Sequence, residues 1–293
     1  MTFPTPLHDP RTLGEWRIHA IQAGGQQLDG GAMFGVVPKP LWEKRIAADE
    51  RNRIPMGMRC LLVEHESELV LIDTGVGNKE TTKFHEIYGI ENTVGDGPTA
   101  LEDGIRAAGF TPADVTLVIN THLHFDHAGG NTTRSAEGDV AATFPNARYV
   151  VQRGELTYAQ RANERTSASY FPHNWDPVIA AGRFELIDGE REILPGIRVR
   201  LTPGHTPHHQ SVILTSKGET GCFLGDVCPT AHHLPLPWIM GYDVEPLVTL
   251  ESKRALLSEA LAENWLLVFE HDAHHGFGRV AHDGKGYRLA TPE

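Results

Sequence analysis

The 293-residue sequence contains little cysteine and has no long apolar run. Its three cysteines, Cys60, Cys222 and Cys228, are widely separated, which favours free thiols in a reducing compartment over a disulfide framework. No stretch approaches the ~18 to 20 consecutive apolar residues that a membrane-spanning helix needs. Residues 1–10 also lack the basic and apolar segments of a signal peptide. We therefore expect a cytoplasmic protein with no membrane partner.

Basic residues are also in short supply. The chain has 26 Lys and Arg against 38 Asp and Glu, a formal net charge of −12, and no basic cluster that could meet the phosphates of a nucleic acid. We therefore expect a small-molecule substrate and no nucleic-acid partner. Histidine, in contrast, is abundant at 17 residues. Because histidine is the commonest metal ligand, its distribution directs the search for a functional site.

Short apolar runs alternate with helical stretches to the end of the chain, which predicts one α/β domain over residues 1–293. The predicted strands or extended segments are 16–22, 31–37, 59–64, 68–73, 115–119, 148–152, 184–187, 197–201, 211–215, 221–224 and 265–270. The predicted helices are 99–108, 154–163 and 250–263. Thr99 and Glu102 form a candidate capping box, and Gly109 ends that helix. A Gly-rich turn should follow the first strand, and a hairpin should turn at residues 65–67.

The segment Thr121–Gly130 carries the strongest motif, H-x-H-x-D-H, formed by His122, His124, Asp126 and His127. This pattern arises by chance in roughly three chains in a thousand of this length and composition. In an extended loop, His122 and His124 project to the same side. A turn after them can then aim Asp126 and His127 at a second point nearby. One short loop is thus able to supply ligands to two adjacent metal sites.

Three more candidate ligands, His205, Asp226 and His271, each follow the C-terminal end of an apolar strand. Ligands gather at the carboxyl ends of strands in α/β sheets. Four separate segments are therefore expected to deliver metal donors to one edge of the fold.

The complete pattern, from about residue 59 to residue 271, resembles that of the metallo-β-lactamase superfamily. The resemblance implies an αββα sandwich of two mixed β-sheets flanked by helices, with residues 1–57 as an N-terminal extension. It implies one ion held by His122, His124 and His205, a second held by Asp126, His127 and His271, and Asp226 as the bridge between them.

This donor set implies two divalent metal ions. Imidazole and carboxylate without thiolate suit zinc, and manganese, iron and cobalt also fit. Two such cations ~3.5 to 4 Å apart can share a water and lower its pKa to near or below ~7, which predicts hydroxide attack on a carbonyl or phosphoryl group. Asp226 as the bridge and Asp126 as a proton relay to the leaving group are the candidate catalytic carboxylates.

Within the superfamily, residues 28–38 and 235–240 resemble segments of N-acyl-homoserine (quorum-quenching) lactonases and organophosphate hydrolases. The candidate substrate-binding residues are Met33, Phe34, His233, Trp238 and Tyr242, and core packing or a solvated loop explains each equally well. Smaller lactonases have a Tyr three residues after the bridging Asp, where this chain has Pro229. Asp73 is expected either to orient a ligand or to form an Asx-type turn. His209 is expected as a hydrogen-bonding partner.

The expected function is therefore a dinuclear metal-dependent hydrolase that opens N-acyl-homoserine lactones. The alternative enzyme is a phosphotriesterase or aryl esterase of the methyl-parathion-hydrolase type. An alternative of another class is a non-catalytic metal-binding sensor or scaffold. The resemblance also implies a homodimer.

Overall fold

The computed structural model describes residues 8–66, 68–93, 95 and 97–290. The strands in chain order are β1 His8–Leu13, β2 Trp16–Asp29, β3 Arg53–Glu64, β4 Leu69–Ile72, β5 Leu117–Ile119, β6 Thr132–Arg134, β7 Val140–Ala142, β8 Arg148–Gln152, β9 Phe184–Ile187, β10 Arg191–Leu194, β11 Ile197–Leu201, β12 Gln210–Ser216, β13 Glu219–Phe223, β14 Leu266–Val268, β15 Phe277–Gly278, β16 Val280–His282 and β17 Tyr287–Leu289. The α-helices are α1 Gly30–Phe34, α2 Lys39–Trp42, α3 Thr82–Tyr88, α4 Ala100–Ala107, α5 Phe125–Ala128, α6 Arg153–Ala159, α7 Asp176–Ala180 and α8 Pro246–Ala262.

Two large mixed sheets are built from these strands. The first has the order β1-β2-β3-β4-β5-β8-β9, antiparallel from β1 to β4 and parallel from β4 to β9. The second has the order β10-β11-β12-β13-β14-β15, with β13 and β14 parallel and the other neighbours antiparallel. The predicted pair of mixed sheets is thus confirmed.

The main core lies between the two sheets. Leu61 and Ile72 of the first sheet share one buried cluster with Val212 and Phe223 of the second. Leu101 and Ile105 of α4 cover the outer face of the first sheet, and Leu256 and Leu257 of α8 cover that of the second. Burying apolar side chains on both faces of each sheet is the main driving force for this layering. The expected αββα sandwich is confirmed.

This architecture brings the predicted ligand segments to one edge. The H-x-H-x-D-H motif follows β5, and Asp226 follows β13. His205 and His271 follow β11 and β14, which both run in the direction of β13. The carboxyl ends of these strands therefore place all the predicted donors on the same side of the sandwich.

Two predictions in the N-terminal part of the chain are wrong. The extended segment predicted at 31–37 is the helix α1, because the Asp29 side chain accepts a hydrogen bond from Ala32 N at 2.8 Å and caps it. The Gly-rich turn predicted after residue 22 is an irregularity within β2, where the register with β3 shifts between Gln22 and Gly25. Gly24 has φ +107°, a backbone conformation that glycine adopts readily.

Other elements differ mainly at their ends. The helix predicted at 99–108 is α4, and the Thr99 side chain accepts from Glu102 N at 3.3 Å. The helix α8 begins at Pro246, four residues earlier than predicted, because proline is well tolerated in the first turn. In the predicted turn at 65–67, Ser67 lies outside the described residues.

The three cysteines are buried free thiols, as predicted. Among the described residues, no helix has the length and apolar character needed to span a membrane.

Candidate metal centre

Seven buried or nearly buried side chains meet at the strand ends. Within each of three groups, one potential ligand atom per residue lies within 4.8 Å of the others. The groups are His122–His124–His205, Asp126–His127–His271 and His122–His127–Asp226. The first two groups are those that the resemblance implied for the two ions, and the third joins them through Asp226.

The first group consists of three imidazoles. His205 Nε2 and His124 Nδ1 lie 3.1 Å apart, close to the ~3.4 Å separation of two nitrogens that each sit ~2.1 Å from one tetrahedral ion. His122 Nε2 is buried and has no hydrogen-bond partner among the described residues. An unpartnered buried acceptor is costly, and a cation at the point where these nitrogens converge would satisfy it.

The second group combines imidazole and carboxylate donors. His271 Nε2 lies 3.1 Å from His127 Nε2 and 3.7 Å from Asp126 Oδ2. The Asp126 carboxylate is oriented by Gln26, whose Nε2 donates to Oδ2 at 2.6 Å from within β2. Sequence reasoning missed Gln26, because its distance from the motif along the chain gives no signal.

Asp226 lies between the two groups. Its Oδ2 is 3.1 Å from His205 Nε2 and its Oδ1 is 3.1 Å from His271 Nε2. Burial favours the protonated acid, but His271, His205 and His127 outweigh it and hold the pKa of Asp226 well below its usual range. An ionised carboxylate facing both groups has the geometry of a bridge.

The position of Asp226 is fixed by His209. The backbone N–H of Asp226 donates to His209 Nε2 at 3.0 Å, and His209 Nδ1 lies 2.8 Å from Thr202 Oγ1. Gly225 has φ +55°, and a Cβ there would lie 2.7 Å from His209 Nε2. Only glycine therefore fits this turn. His209 is a hydrogen-bonding partner rather than one of the converging donors.

Acceptors behind the imidazoles determine which ring nitrogen carries the proton. His205 Nδ1 is 2.8 Å from Asp243 Oδ1, and His271 Nδ1 is 2.8 Å from Gly57 O. A proton on each Nδ1 leaves the Nε2 lone pair directed at the site. Asp243 was missed because it is 38 residues from His205 in a segment without a recognisable motif.

Asp73 performs this role for two ligands. It accepts hydrogen bonds from Thr121 N at 2.7 Å, Thr121 Oγ1 at 2.6 Å and His127 Nδ1 at 3.0 Å. Because the Thr121 hydroxyl donates to Asp73, its oxygen can accept from His122 Nδ1, 3.0 Å away. Of the two readings that the sequence left open, the contacts favour the ligand-orienting one.

Burial also sets the protonation of two imidazoles of the first group, His122 and His124. Burial, followed by the neighbouring imidazoles His127, His124 and His205, holds the pKa of His122 well below its usual value. Burial and His205 likewise lower the pKa of His124. Both rings are therefore neutral near pH 7, which is the form that binds a metal ion.

A cavity of about 460 Å³ opens onto the site. Its wall includes His124, Asp126, His205, Asp226 and His271 together with Leu28, Ala32, Met33, Tyr88, Phe125, Arg165, Thr166, Ala168, Ser169, Met240, Gly241, Tyr242 and Val244. Met33 and Tyr242, which were predicted as substrate-binding residues, lie in this wall. Tyr88 and Arg165 were missed, because each reaches the cavity from a segment that carries no motif.

Three predicted pocket residues, Phe34, His233 and Trp238, are not in the cavity wall. Phe34 is fully buried and stacks on His233 with ring centroids 4.6 Å apart. Trp238 meets Phe34 edge-on at 5.5 Å. His233 Nε2 lies 2.8 Å from the carbonyl oxygen of Met33. These side chains pack behind Met33 and support the wall instead of facing a substrate.

We expect acid to destabilise the protein through His233. Burial lowers the pKa of His233 to about 3, against ~6.5 in an unfolded chain. Between these values the unfolded state binds one more proton than the folded state, so the free energy of unfolding falls as pH falls, by up to ~1.4 kcal/mol per pH unit. Urea unfolding of chelator-treated protein at about pH 7.5 and about pH 5 should show His233→Gln losing ~2 kcal/mol less than the wild type. Exposed His282 provides the control, His282→Gln, and equal losses in all three proteins would contradict the prediction.

Comparison with known proteins adds independent information. The sequence model described as the metallo-beta-lactamase superfamily matches residues 57–271. An N-acyl homoserine lactonase of Bacillus cereus is 28% identical over 232 residues, 75% of this chain and 83% of that protein. An N-acyl homoserine lactonase of a Bacillus species is 31% identical over 222 residues, 73% of this chain and 80% of that protein.

Solved structures agree on the fold. The crystal structure of a probable metal-dependent hydrolase from Staphylococcus aureus has a TM-score of 0.86 and 30% identity, and the match covers 97% of this chain and all of that one. AidC, a dizinc quorum-quenching lactonase in complex with its product, has a TM-score of 0.79 and 20% identity, with 98% and 97% of the two chains covered.

Proposed function

The chain is a hydrolase of the metallo-β-lactamase superfamily, and from this membership we propose that it opens the ring of N-acyl-homoserine lactones with two divalent metal ions. Its curated relatives that are N-acyl homoserine lactonases match about three quarters of the chain. The donor set alone does not identify a substrate, so the choice of substrate rests on the cavity.

The observation that carries the proposal is that donors of both groups and an apolar wall line the same cavity. A lactone has a compact polar ring, which needs the donors, and an acyl tail, which needs apolar surface. Met33, Phe125, Met240 and Val244 offer that surface. A pocket that combines mostly apolar walls with a few convergent polar groups is typical of a small-molecule site.

The residues at the site fit divalent cations on their own geometry. The converging nitrogens, the unpartnered His122 Nε2 and the carboxylate of Asp226 form a set of imidazole and carboxylate donors, without thiolate, that suits zinc. We propose that His122, His124 and His205 hold one ion, that Asp126, His127 and His271 hold the other, and that Asp226 bridges them. When bound, the ions supply Lewis acidity and lower the pKa of an attacking water.

The chain itself then has three tasks in ring opening. Asp243, Gly57 and Asp73 keep the Nδ1 protons of the ligand imidazoles away from the reacting centre. The cavity wall binds the acyl tail. Asp126, oriented by Gln26, stands beside the cavity and moves the proton that the attacking water loses to the ring oxygen that leaves. The product is a single hydroxy acid, which contains all the atoms of the lactone and of the water.

A hydrolysis panel tests the proposal. For the metal-loaded enzyme, kcat/KM should be at least ~10²-fold higher for an N-acyl-homoserine lactone than for a dialkyl aryl phosphate triester, a difference of ~2.7 kcal/mol in transition-state binding. The value should rise with tail length, because each buried methylene contributes ~0.8 kcal/mol. A triester preference, or turnover of neither substrate, would contradict the proposal.

Three variants complete the panel. His124→Ala, purified in the same way, should have no activity above background and excludes a contaminating enzyme. Met240 lies in the cavity wall, whereas Leu247 is 77% exposed and is not part of that wall. Met240→Ala should therefore flatten the dependence on tail length, and Leu247→Ala should leave it unchanged.

A further inference from the structure

Glu155, on α6, is a buried carboxylate that is not one of the converging donors. Its side chain is 0% exposed and accepts three hydrogen bonds. Oε1 accepts from Leu123 N at 3.1 Å and from the Tyr170 hydroxyl at 2.8 Å. Oε2 accepts from the Thr206 hydroxyl at 2.7 Å. Removing a carboxylate from water is expensive, and these three donors offset the cost.

All three donors lie beside ligands of the first group. Leu123 separates His122 from His124, and Thr206 directly follows His205. The ring of Tyr170 packs against the ring of His124, with centroids 4.6 Å apart and an interplanar angle of 62°. Glu155 therefore joins two segments whose ligands are 81 residues apart in sequence but 3.1 Å apart in space.

We propose that Glu155 is a positioning residue that fixes His124 and His205 relative to each other and so determines how tightly the first ion is held. This inference rests on the proposed two-metal centre. The second group is held by other contacts, namely those of Gln26 with Asp126, Asp73 with His127 and Gly57 with His271. Loss of Glu155 should therefore affect the two ions unequally.

The chemistry of a carboxylate suits this task. It presents only acceptors, so one side chain can take donors from three segments. Glutamine would keep an oxygen for Leu123 and Tyr170 but present an NH₂ group to Thr206, whose hydroxyl can rotate to accept. Glu155→Gln should thus be milder than Glu155→Ala. Thr206→Val and Tyr170→Phe each remove one donor, and Tyr170→Phe keeps the ring against His124.

The test is a chelator competition that resolves the two ions. Loss of a group that contacts a metal ligand typically lowers metal affinity 10- to 100-fold. Glu155→Ala should therefore lower the affinity for one ion by about 10- to 100-fold and that for the other by less than about threefold. Cobalt-loaded protein should show a changed visible spectrum for only one of its two ions. Glu155→Gln should recover part of the affinity, and Thr206→Val should lose part of it.

Glu102 provides a matched control. It is a buried carboxyl on the outer helix α4, 7% exposed, and its ionic partner is Arg106. Glu102→Gln should leave both metal affinities unchanged, whatever it does to the unfolding midpoint.

Two results for Glu155→Ala would overturn the proposed role: equal weakening of the binding of both ions, or wild-type metal affinities with only a lower unfolding midpoint. If Glu155→Ala does not fold, unchanged metal affinity in Thr206→Val would overturn it instead. A wild-type protein that binds fewer than two ions would instead contradict the two-metal centre itself. The two failures are thereby distinguished.

Discussion

Asp226→Ala should lower kcat/KM for the proposed lactone hydrolysis by at least ~10³-fold, equivalent to ~4 kcal/mol of transition-state stabilisation. The two oxygens of Asp226 each lie 3.1 Å from an imidazole of a different group. Without this carboxylate, two divalent cations would face each other with no shared negative charge to offset their repulsion. Elemental analysis should therefore find close to two ions per wild-type chain and no more than one in the variant.

Asp226→Asn tests whether the negative charge of Asp226 matters apart from the volume of its side chain. The amide keeps the volume and one oxygen but offers a ligand to only one group, so it should also fail to hold the second ion. Glu102→Gln, which removes a buried carboxyl on α4 that is not one of the converging donors, should retain both ions and full activity. If Asp226→Ala kept two ions and a kcat/KM within about tenfold of the wild type, Asp226 would not be the bridge.

The converging donors were predictable because two local rules apply to them. The spacing of the motif restricts the directions of His122, His124, Asp126 and His127 within one loop. The position of His205 after a strand, like that of Asp226 and His271, restricts the edge at which it emerges. Both rules depend only on residues close together in the sequence, so the converging donors can be predicted from the sequence alone.

The cavity wall was less predictable because it depends on which segments approach each other in space. Phe34 and Trp238 are apolar residues in segments that resemble pocket-lining loops, but they pack on each other, while Tyr88 and Arg165 reach the cavity from other segments. The helix α1 was missed for a related reason. One hydrogen bond to the Asp29 side chain begins it, and apolar periodicity does not report that contact.

The role of Asp73 cannot be predicted from its neighbours in the sequence. Its place after β4 is equally compatible with a turn and with support of a ligand, and its φ of +54° is one that Asp tolerates. Only the fold reveals that Thr121 and His127 both donate to it. The orientation of two proposed ligands, one in each group, therefore depends on a side chain about 50 residues before the motif.

Replacing Asp73 should consequently weaken the binding of both ions. Asp73→Ala leaves three buried donors without an acceptor, at ~1 to 3 kcal/mol each, and should also lower the free energy of unfolding of the chelated protein by several kcal/mol. Asp73→Asn is the sharper variant because Asn also tolerates a positive φ. Its Oδ1 can still accept from Thr121 N, but an NH₂ group replaces the acceptor of His127 Nδ1–H. The proton of His127 is then displaced to Nε2, the nitrogen that faces the site.

For Asp73→Asn we therefore expect metal affinity to fall by at least ~10- to 100-fold with a smaller change in the stability of the chelated protein than in Asp73→Ala. Chelator competition and urea unfolding measure the two quantities separately. Glu270→Gln is the matched control. Glu270 Oε2 also lies 3.0 Å from His127 Nδ1, but the hydrogen bond of that nitrogen is the one with Asp73 Oδ2, so loss of Glu270 should affect metal affinity less. If Asp73→Asn bound two ions as tightly as the wild type, or if Glu270→Gln proved more damaging, the acceptor that orients His127 would be Glu270, and Asp73 would support only the turn after β4.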